Sequence, residues 1–562
     1  MRGRLRHGAF AAVAASALAV AIPVATATSN AHGSAGATHP SAIKHVLLIS
    51  VDGLHQSDLE WYTAHHPGSE LAKLAGGGAA YTSAHTPVPS DSDPGMTAQM
   101  TGGDPKTTGV FYDVEYNHSL LAPGTTSCHG QPTGANVVYD SPDDINVTKL
   151  DAGQGLKGLP GSILQMTSTP QDLLVPSTFP VDPKTCKPIY PSSYLKVNTI
   201  FNVAHDAGLL TAWSDKHPVY ESFNGPSGNG ISDMFAPEID SNALKPDGKP
   251  WGGDIAWTGD NAATMQYDSY KVQAVLNWID GYNHQGTKQV GVPAIFGMNF
   301  QTVSTAEKLP VSDGLAGGYL PGTTTPGPLL VRALGYINDQ LQAMDTEIHA
   351  QGLAASTAIV LSAKHGQSPQ NPNQLTRIDD STIINGVNAA WAASHPGAAP
   401  LVAAGTDDDA IMWWLSDQSP EAARFAQRYL WTHTATGNTI TGASRTLAHS
   451  GLAKLYTGNA AARFFGVPAS DPRHPNVWGV VQVGVVYTGG KGKIAEHGGS
   501  NPADRSVPLV VYAPGSVAPG VFGSFVETTQ IAPTIIRLLG LDPRALQAVQ
   551  RQGTAVLPGV AH

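Results

Sequence analysis

Polar residues stand at the ends of several apolar runs in this chain, and their types suit attack on an anionic ester. Asp52 follows the run His45-Val46-Leu47-Leu48-Ile49-Ser50-Val51 and precedes Gly53. Ser92 lies in Ser90-Asp91-Ser92-Asp93-Pro94-Gly95-Met96-Thr97, two residues before a proline. Lys216 and His217 come just after the run 209–213, Lys364 and His365 just after 357–362, and His497 precedes Gly498-Gly499. A short apolar run stopped by Asp-Gly predicts a buried strand with a carboxylate at its C-terminal tip. In open α/β sheets ligands bind at such tips. Proline is tolerated in a first helical turn, so Ser92 is predicted at a helix N-terminus, where free amides favour an anion. A hydroxyl at a helix start beside an acidic strand tip suits a metal-activated nucleophile. Taken singly, these residues would serve equally as a loop carboxylate, an N-cap and structural histidines. The repetition of one design at several strand tips favours a shared site along one sheet edge. Asp91 and Asp93 are read as extra ligands or as exposed loop acids, with exposure the expectation.

The segments that must carry these tips have an α/β pattern. Residues 45–51 predict the first strand, 199–208 a helix and 209–213 a second strand. A helix at 270–279 places Val272, Val275, Leu276 and Ile279 on one face, and a strand follows at 294–299. The clearest helix covers 328–351, where Leu330, Leu334, Ile337, Leu341, Met344 and Ile348 recur at four and three and Gly352 offers a stop. A strand at 357–362, apolar runs at 477–487 and 507–512 and a helix at 529–539 complete the core. The alternation predicts an α/β fold with a largely parallel central sheet sandwiched by helices. Stretches 109–198 and 367–475 are predicted to be loop-rich insertions, the second with a strand at 410–415 and a helix at 420–429. One domain is predicted over 42–545.

Composition narrows the partners. Charged residues are 13% of the 562, against about 25% in ordinary globular proteins, and the 61 glycines and 42 prolines predict much ordered loop. The formal net charge is −11 and no basic stripe is visible, which argues against nucleic acid. An anionic substrate must therefore be held by local cations or metal. Arg2, Arg4, Arg6 and His7, the apolar run 9–24 and Ala25-Thr26-Ala27 form a secretory signal pattern, with Ala31 a second cleavage point. Residues 1–31 are accordingly set apart as a signal peptide, and 28–41 are predicted to be a disordered leader. No later stretch has the length and uniform apolarity of a membrane span, so an exported protein outside the membrane is predicted. Its two cysteines, Cys128 and Cys186, are predicted to close one long loop as a disulfide.

The islands 46–53, 89–102, 358–366, 497–498 and 507–509, with the closing segment Thr529-Gln530-Ile531-Ala532-Pro533-Thr534, resemble the alkaline phosphatase superfamily. Within it they are most similar to the type I phosphodiesterase/nucleotide pyrophosphatase branch. The resemblance implies an alkaline phosphatase-like core and a hydrolase of small anionic phosphoesters, diesters or pyrophosphates, acting through a covalent intermediate. That family's nucleophile stands two residues before a Pro and about nine before a Thr-Gly, a pattern that Ser92, Pro94 and Thr101-Gly102 match. The family binds two zinc ions. Asp52, Ser92, His365 and His497 match ligand positions, which implies a divalent metal, zinc by resemblance, as one ion or two.

Departures from the pattern are coupled. Lys364 stands where the family has a ligand Asp, Gly95 where it has an Asn, and Asn299-Phe300-Gln301-Thr302-Val303-Ser304 where it has a further Asp and His. One metal site has thus lost most of its ligands. An ammonium can stabilise an oxyanion and lower a nucleophile's pKa as a bound cation does, so Lys364 is predicted to stand in for part of a missing metal. Lys216 and His217 resemble a Gly-Lys-Trp-His segment of related sulfatases and are predicted to contact the substrate anion, although Met96 occupies the position of a required sulfatase Arg. The alternatives are a sulfate- or phosphonate-ester hydrolase on the same fold and a non-catalytic anion-binding protein.

Overall fold

Side chains of a strand alternate between its two faces, and the strand His45–Val51 (β1) uses that alternation to join two cores. Val46 and Leu48 pack with Met96, Met100, Phe201, Trp213 and Ile535, whereas Leu47, Ile49 and Val51 pack with Val275, Ile279, Leu334 and Ile337. A strand buried on both faces has to be apolar throughout, which is why the run reads as continuous rather than alternating. These relations come from a computed structural model that describes residues 42–138, 160–252, 255–488 and 490–560. The predicted signal peptide lies outside the described residues.

The central sheet contains β1, Ala79–Tyr81 (β2), Ala212–Ser214 (β3), Asp233–Phe235 (β4), Ile295–Phe300 (β5), Thr357–Ser362 (β6), Leu509–Tyr512 (β7) and Gly520–Phe522 (β8). Their order across the sheet is β8-β2-β7-β6-β1-β5-β3-β4. The five strands from β6 to β4 are mutually parallel, while β7 runs antiparallel to both β6 and β2. Ser50 of β1 sits opposite both Asn299 of β5 and Ser362 of β6. That shared register decides which residues emerge together at the C-terminal edge.

Helices cover both faces, as predicted. Ser92–Thr101 (α1), Ile200–Asp206 (α2) and Ile531–Leu538 (α5) contribute to one core, and Asn261–Ile279 (α3) and Pro328–Ala350 (α4) to the other. The apolar stripe of α4 is buried throughout, and Gly352 adopts the left-handed conformation (φ +70°) that ends it. α3 starts earlier than its apolar stripe indicates because Asp260 caps it, accepting from Ala263 N at 3.0 Å.

The apolar run 477–487 does not join the central sheet. Val477–Val481 pairs antiparallel with Ala410–Leu415 and Leu452–Thr457 in a separate four-stranded sheet that also holds Val402–Asp407. The helix Pro420–Thr432 packs into that insertion's own core. Within the first insertion, Val114–Asn117 and Ala135–Val138 form a hairpin, and Cys128 and Cys186 are disulfide-bonded with Cα atoms 5.8 Å apart. Among the described residues no helix is long and apolar enough to cross a membrane.

Glu115, on that hairpin, is buried and its Oε2 accepts from Phe111 N at 2.7 Å. Burial pushes its carboxyl up to about 7, against the favourable hydrogen bonds it accepts. Between its ordinary value of 4.5 and about 7 the folded protein therefore holds a proton that the unfolded chain has lost. The resulting stabilisation is complete below the unfolded value and is lost as pH rises through the folded one. Glu115→Gln should flatten the decline of urea stability over that window. A variant whose stability falls with pH as steeply as the wild type would show that Glu115 ionises normally.

Candidate active site

Because β5, β1 and β6 are parallel and in register, the residues two places beyond the Ser50 row leave the sheet side by side. These are Gln301, Asp52 and Lys364. Asp52 Oδ1 accepts from Asn299 Nδ2 at 2.8 Å and lies 3.2 Å from Lys364 Nζ, while Oδ2 accepts from Gln301 Nε2 at 2.6 Å. Burial works to raise the Asp52 carboxyl, but Lys364, His365, Lys216 and the Asn299 hydrogen bond together outweigh it and hold the group well below the usual carboxylate range. Burial lowers Lys364 in turn, and Asp52 counters part of that effect. The same ammonium is 3.9 Å from Asp215 Oδ1 and lies over the Tyr220 ring, 5.3 Å from its centroid. After Asp52 the chain turns through Gly53 at φ +83°, where a Cβ would also press on Ser304 and Glu307 at 3.1 Å.

α1 presents the hydroxyl. Asp91 is its N-cap and Ser92 its first helical residue. Ser92 Oγ accepts from Lys216 Nζ at 3.1 Å and lies 3.3 Å from His365 Nε2. His365 Nδ1 is 3.1 Å from Gly366 O, and its ring stacks on that of His497 with centroids 3.8 Å apart. Burial, reinforced by His497, holds His365 neutral, and burial with Lys308 does the same to His497. His497 Nδ1 approaches Asp91 Oδ1 at 2.9 Å, and His217 Nδ1 approaches Glu238 Oε1 at 2.8 Å. Ser92, Lys216, Lys364, His365 and His497, predicted from separate stretches, therefore come together with Asp52, and His217 lines the same cleft.

Asp91 and Asp93 are not exposed loop acids: they are 0% and 1% accessible. Asp91 Oδ2 accepts from Asp113 N at 3.2 Å and from Asp93 N at 3.4 Å, so tying down the helix start requires its burial. Burial raises both carboxyls, Asp93 further because Asp91 lies beside it. Asn299, Gln301 and Asp215 also belong to the site. The first two were visible in sequence only as missing ligands, and Asp215 only as the neighbour of Lys216.

The residues matched to metal ligands do not close around an ion. Ligand atoms of Asp52, His365 and His497 do not gather within 4.8 Å as a set. Both oxygens of Asp52 are already committed to Asn299, Gln301 and Lys364, and the ammonium groups of Lys364 and Lys216 stand 3.2 Å from Asp52 and 3.1 Å from Ser92. A divalent cation placed there would face two cations at close range in a poorly solvated site. Among the described residues, side chains that could ligate an ion gather in two groups: His55 with Asp58 and Glu307, and His217 with Glu238 and Asp240, of which His217 and Asp240 line the same cleft as Asp52.

A cleft of about 520 Å³ opens onto this edge. Asp52, Lys216, His217, Gln301 and His497 form one part of its wall, and Lys308, Lys493 and Glu496 another. Lys308 Nζ is 2.8 Å from Glu496 Oε2, and Lys493 pairs with the other oxygen. Gly405, Thr406 and Asp408 of the second insertion complete the lining, which contains no Phe, Tyr or Trp.

Gly95 explains one departure from the expected pattern. A Cβ there would lie 2.0 Å from the carbonyl oxygen of Lys364, so the helix start packs directly on the backbone that carries the lysine. Gly95→Ala should lower stability by about 1–3 kcal/mol or more, read by chemical denaturation. An unchanged midpoint and slope would mean that this close approach is absent.

Comparisons with known proteins agree with this architecture. The profile of the type I phosphodiesterase/nucleotide pyrophosphatase family matches residues 46–501. No curated sequence matches the chain. The chain is similar in structure to murine ectonucleotide pyrophosphatase/phosphodiesterase 5, with a TM-score of 0.51 and 10% identity over 89% of this chain and 96% of that one. It is also similar to the alkaline phosphatase PafA, with a TM-score of 0.57 and 12% identity over 90% and 97%. At such identities the likeness concerns the fold, and the family rests on the profile match across most of the length. The chain belongs to the type I phosphodiesterase/nucleotide pyrophosphatase family of phosphoester hydrolases.

Proposed function

We propose that the protein cleaves phosphate diesters through a covalent phosphoryl-Ser92 intermediate. The observation that carries this reading is the position of Ser92 Oγ, at the start of α1 and within 3.3 Å of both Lys216 Nζ and His365 Nε2. A hydroxyl so placed attacks phosphorus in line while the ammonium and the free amides of the helix start receive the charge that builds on the phosphoryl oxygens. Ser92 is itself buried, and Lys216 lies on the cleft wall, so an entering phosphoryl group meets that ammonium on its way to the nucleophile. His217, oriented by Glu238, and His497 contribute polar contacts from the same wall. Lys364 neutralises Asp52 rather than reaching into the cleft.

Charge favours a diester. His365 and His497 are neutral, Lys364 is matched by Asp52, and Lys308 and Lys493 share Glu496. Lys216 is the lysine whose ammonium bonds to Ser92 Oγ, and a singly charged diester calls for less positive charge beside the hydroxyl than a dianionic monoester. One structure of the murine phosphodiesterase 5 is an inactive variant in complex with AMP, whereas among the described residues the rings lining this cleft are the imidazoles of His217 and His497. A diester with polar, non-nucleoside substituents fits that lining. The disulfide supports an exported protein.

Against a panel of nitrophenyl phosphate diester, monoester and sulfate, the diester should be the best substrate. Ser92→Ala should reduce its turnover by several orders of magnitude, and acid quenching of the wild type during turnover should leave a phosphoryl group on Ser92. Near-wild-type turnover by the variant would make Ser92 a helix residue only.

A further inference from the structure

We propose that His365 acts as the general base for Ser92 and that no divalent metal takes part in activating the hydroxyl. The inference rests on the reading of Ser92 as nucleophile and concerns how that hydroxyl loses its proton. A carbonyl oxygen can only accept, so the 3.1 Å contact of His365 Nδ1 with Gly366 O places the ring proton on Nδ1. Nε2 then turns its lone pair toward Ser92 Oγ, 3.3 Å away. Lys216 donates to the same Oγ from 3.1 Å, so the hydroxyl's own hydrogen is left to point at the imidazole. Stacking on His497 holds the ring in that orientation. Nε2 is also 3.8 Å from Asp52 Oδ2.

Lys364 makes this possible. In a metal-activated site a ligand imidazole spends its lone pair on the ion. Here the ammonium occupies the charge position beside Asp52, and the Nε2 lone pair faces the Ser92 hydroxyl. In the first step the Ser92 Oγ–P bond forms and the bond from phosphorus to the leaving oxygen breaks. The Ser92 proton passes to His365 Nε2, and the leaving oxygen, on the far side of phosphorus, takes its proton from water. In the second step the oxygen of a water molecule bonds to phosphorus and the P–Oγ bond breaks. The proton held on Nε2 returns to Oγ and the attacking water loses its proton to solvent, which regenerates the enzyme. Lys216 faces Oγ throughout and Lys364 acts as a positioning residue through Asp52.

The test combines chelation, zinc titration and rescue on the full-length mature protein, with bis(p-nitrophenyl) phosphate as substrate. After exhaustive chelation the wild type should keep turnover within about twofold, and calorimetric titration with zinc chloride should show no tight site at the Ser92 centre. His365→Ala and His365→Asn should each lose on the order of a hundredfold or more. Added imidazole should restore part of the turnover in His365→Ala and none in Ser92→Ala, a signature that only a folded protein lacking a base can show. One tight zinc per chain that disappears in His365→Ala, with activity abolished by chelator and restored by zinc, would overturn the inference and leave Ser92 as nucleophile. Absence of hydrolysis in the wild type with and without zinc would instead overturn the reading of Ser92 itself.

Discussion

The site is organised by one buried ion pair, Lys364 with Asp52, at 3.2 Å. Neither side chain reaches solvent, so each charge has been taken out of water at a cost that only its partner and further hydrogen bonds offset. Breaking such a pair by removing one member costs about 3–5 kcal/mol, because the other charge is left uncompensated. The surroundings are arranged accordingly. Asn299 and Gln301 direct amide N–H groups at Asp52, Asp215 adds a second carboxylate near the ammonium, and Tyr220 offers it a ring face.

That pair also decides the chemistry open to Ser92. A carboxylate saturated by two amides and an ammonium has little left for an ion, and a divalent cation beside two lysines would be repelled. The substitutions are therefore consistent with one another. Lys364 beside Asp52, amide donors from Asn299 and Gln301, and Lys216 bonded to Ser92 fill this edge with fixed donors. Preorganised donors of this kind stabilise developing charge without reorganising during the reaction.

Packing transmits the constraint to the nucleophile. The start of α1 rests on the Lys364 carbonyl at Gly95, so the lysine's strand and the serine's helix cannot shift independently. Asp91 Oδ1 at the same helix start lies 2.9 Å from His497 Nδ1, and the His497 ring in turn stacks on His365. The His497 loop is itself held to the second insertion, since Asp409 N donates to His497 O at 3.1 Å. An insertion with its own sheet and core thus supplies both a wall of the cleft and the support for a site residue.

What could be read from sequence is what local pattern dictates. Continuous apolar runs ending in polar residues identified β1 and β6 and their tips at Asp52 and at Lys364 with His365, because strands buried on both faces have no other way to read. The four-and-three spacing located α4, and proline two places after Ser92 marked the start of α1. Tertiary structure alone decided the rest. The parallel register of β5, β1 and β6 turned Asn299 and Gln301, seen in sequence only as absent ligands, into the donors that saturate Asp52. Asp91 and Asp93 looked like loop acids because nothing local forces a carboxylate inward, yet packing against residues far along the chain buries both. The run 477–481 is as apolar as a central strand but pairs in another sheet, since apolarity specifies burial and not a partner. The surroundings of His365 were likewise a matter of distance: an ammonium near one neighbour and a hydroxyl near the other are facts of three-dimensional placement that residue types cannot carry.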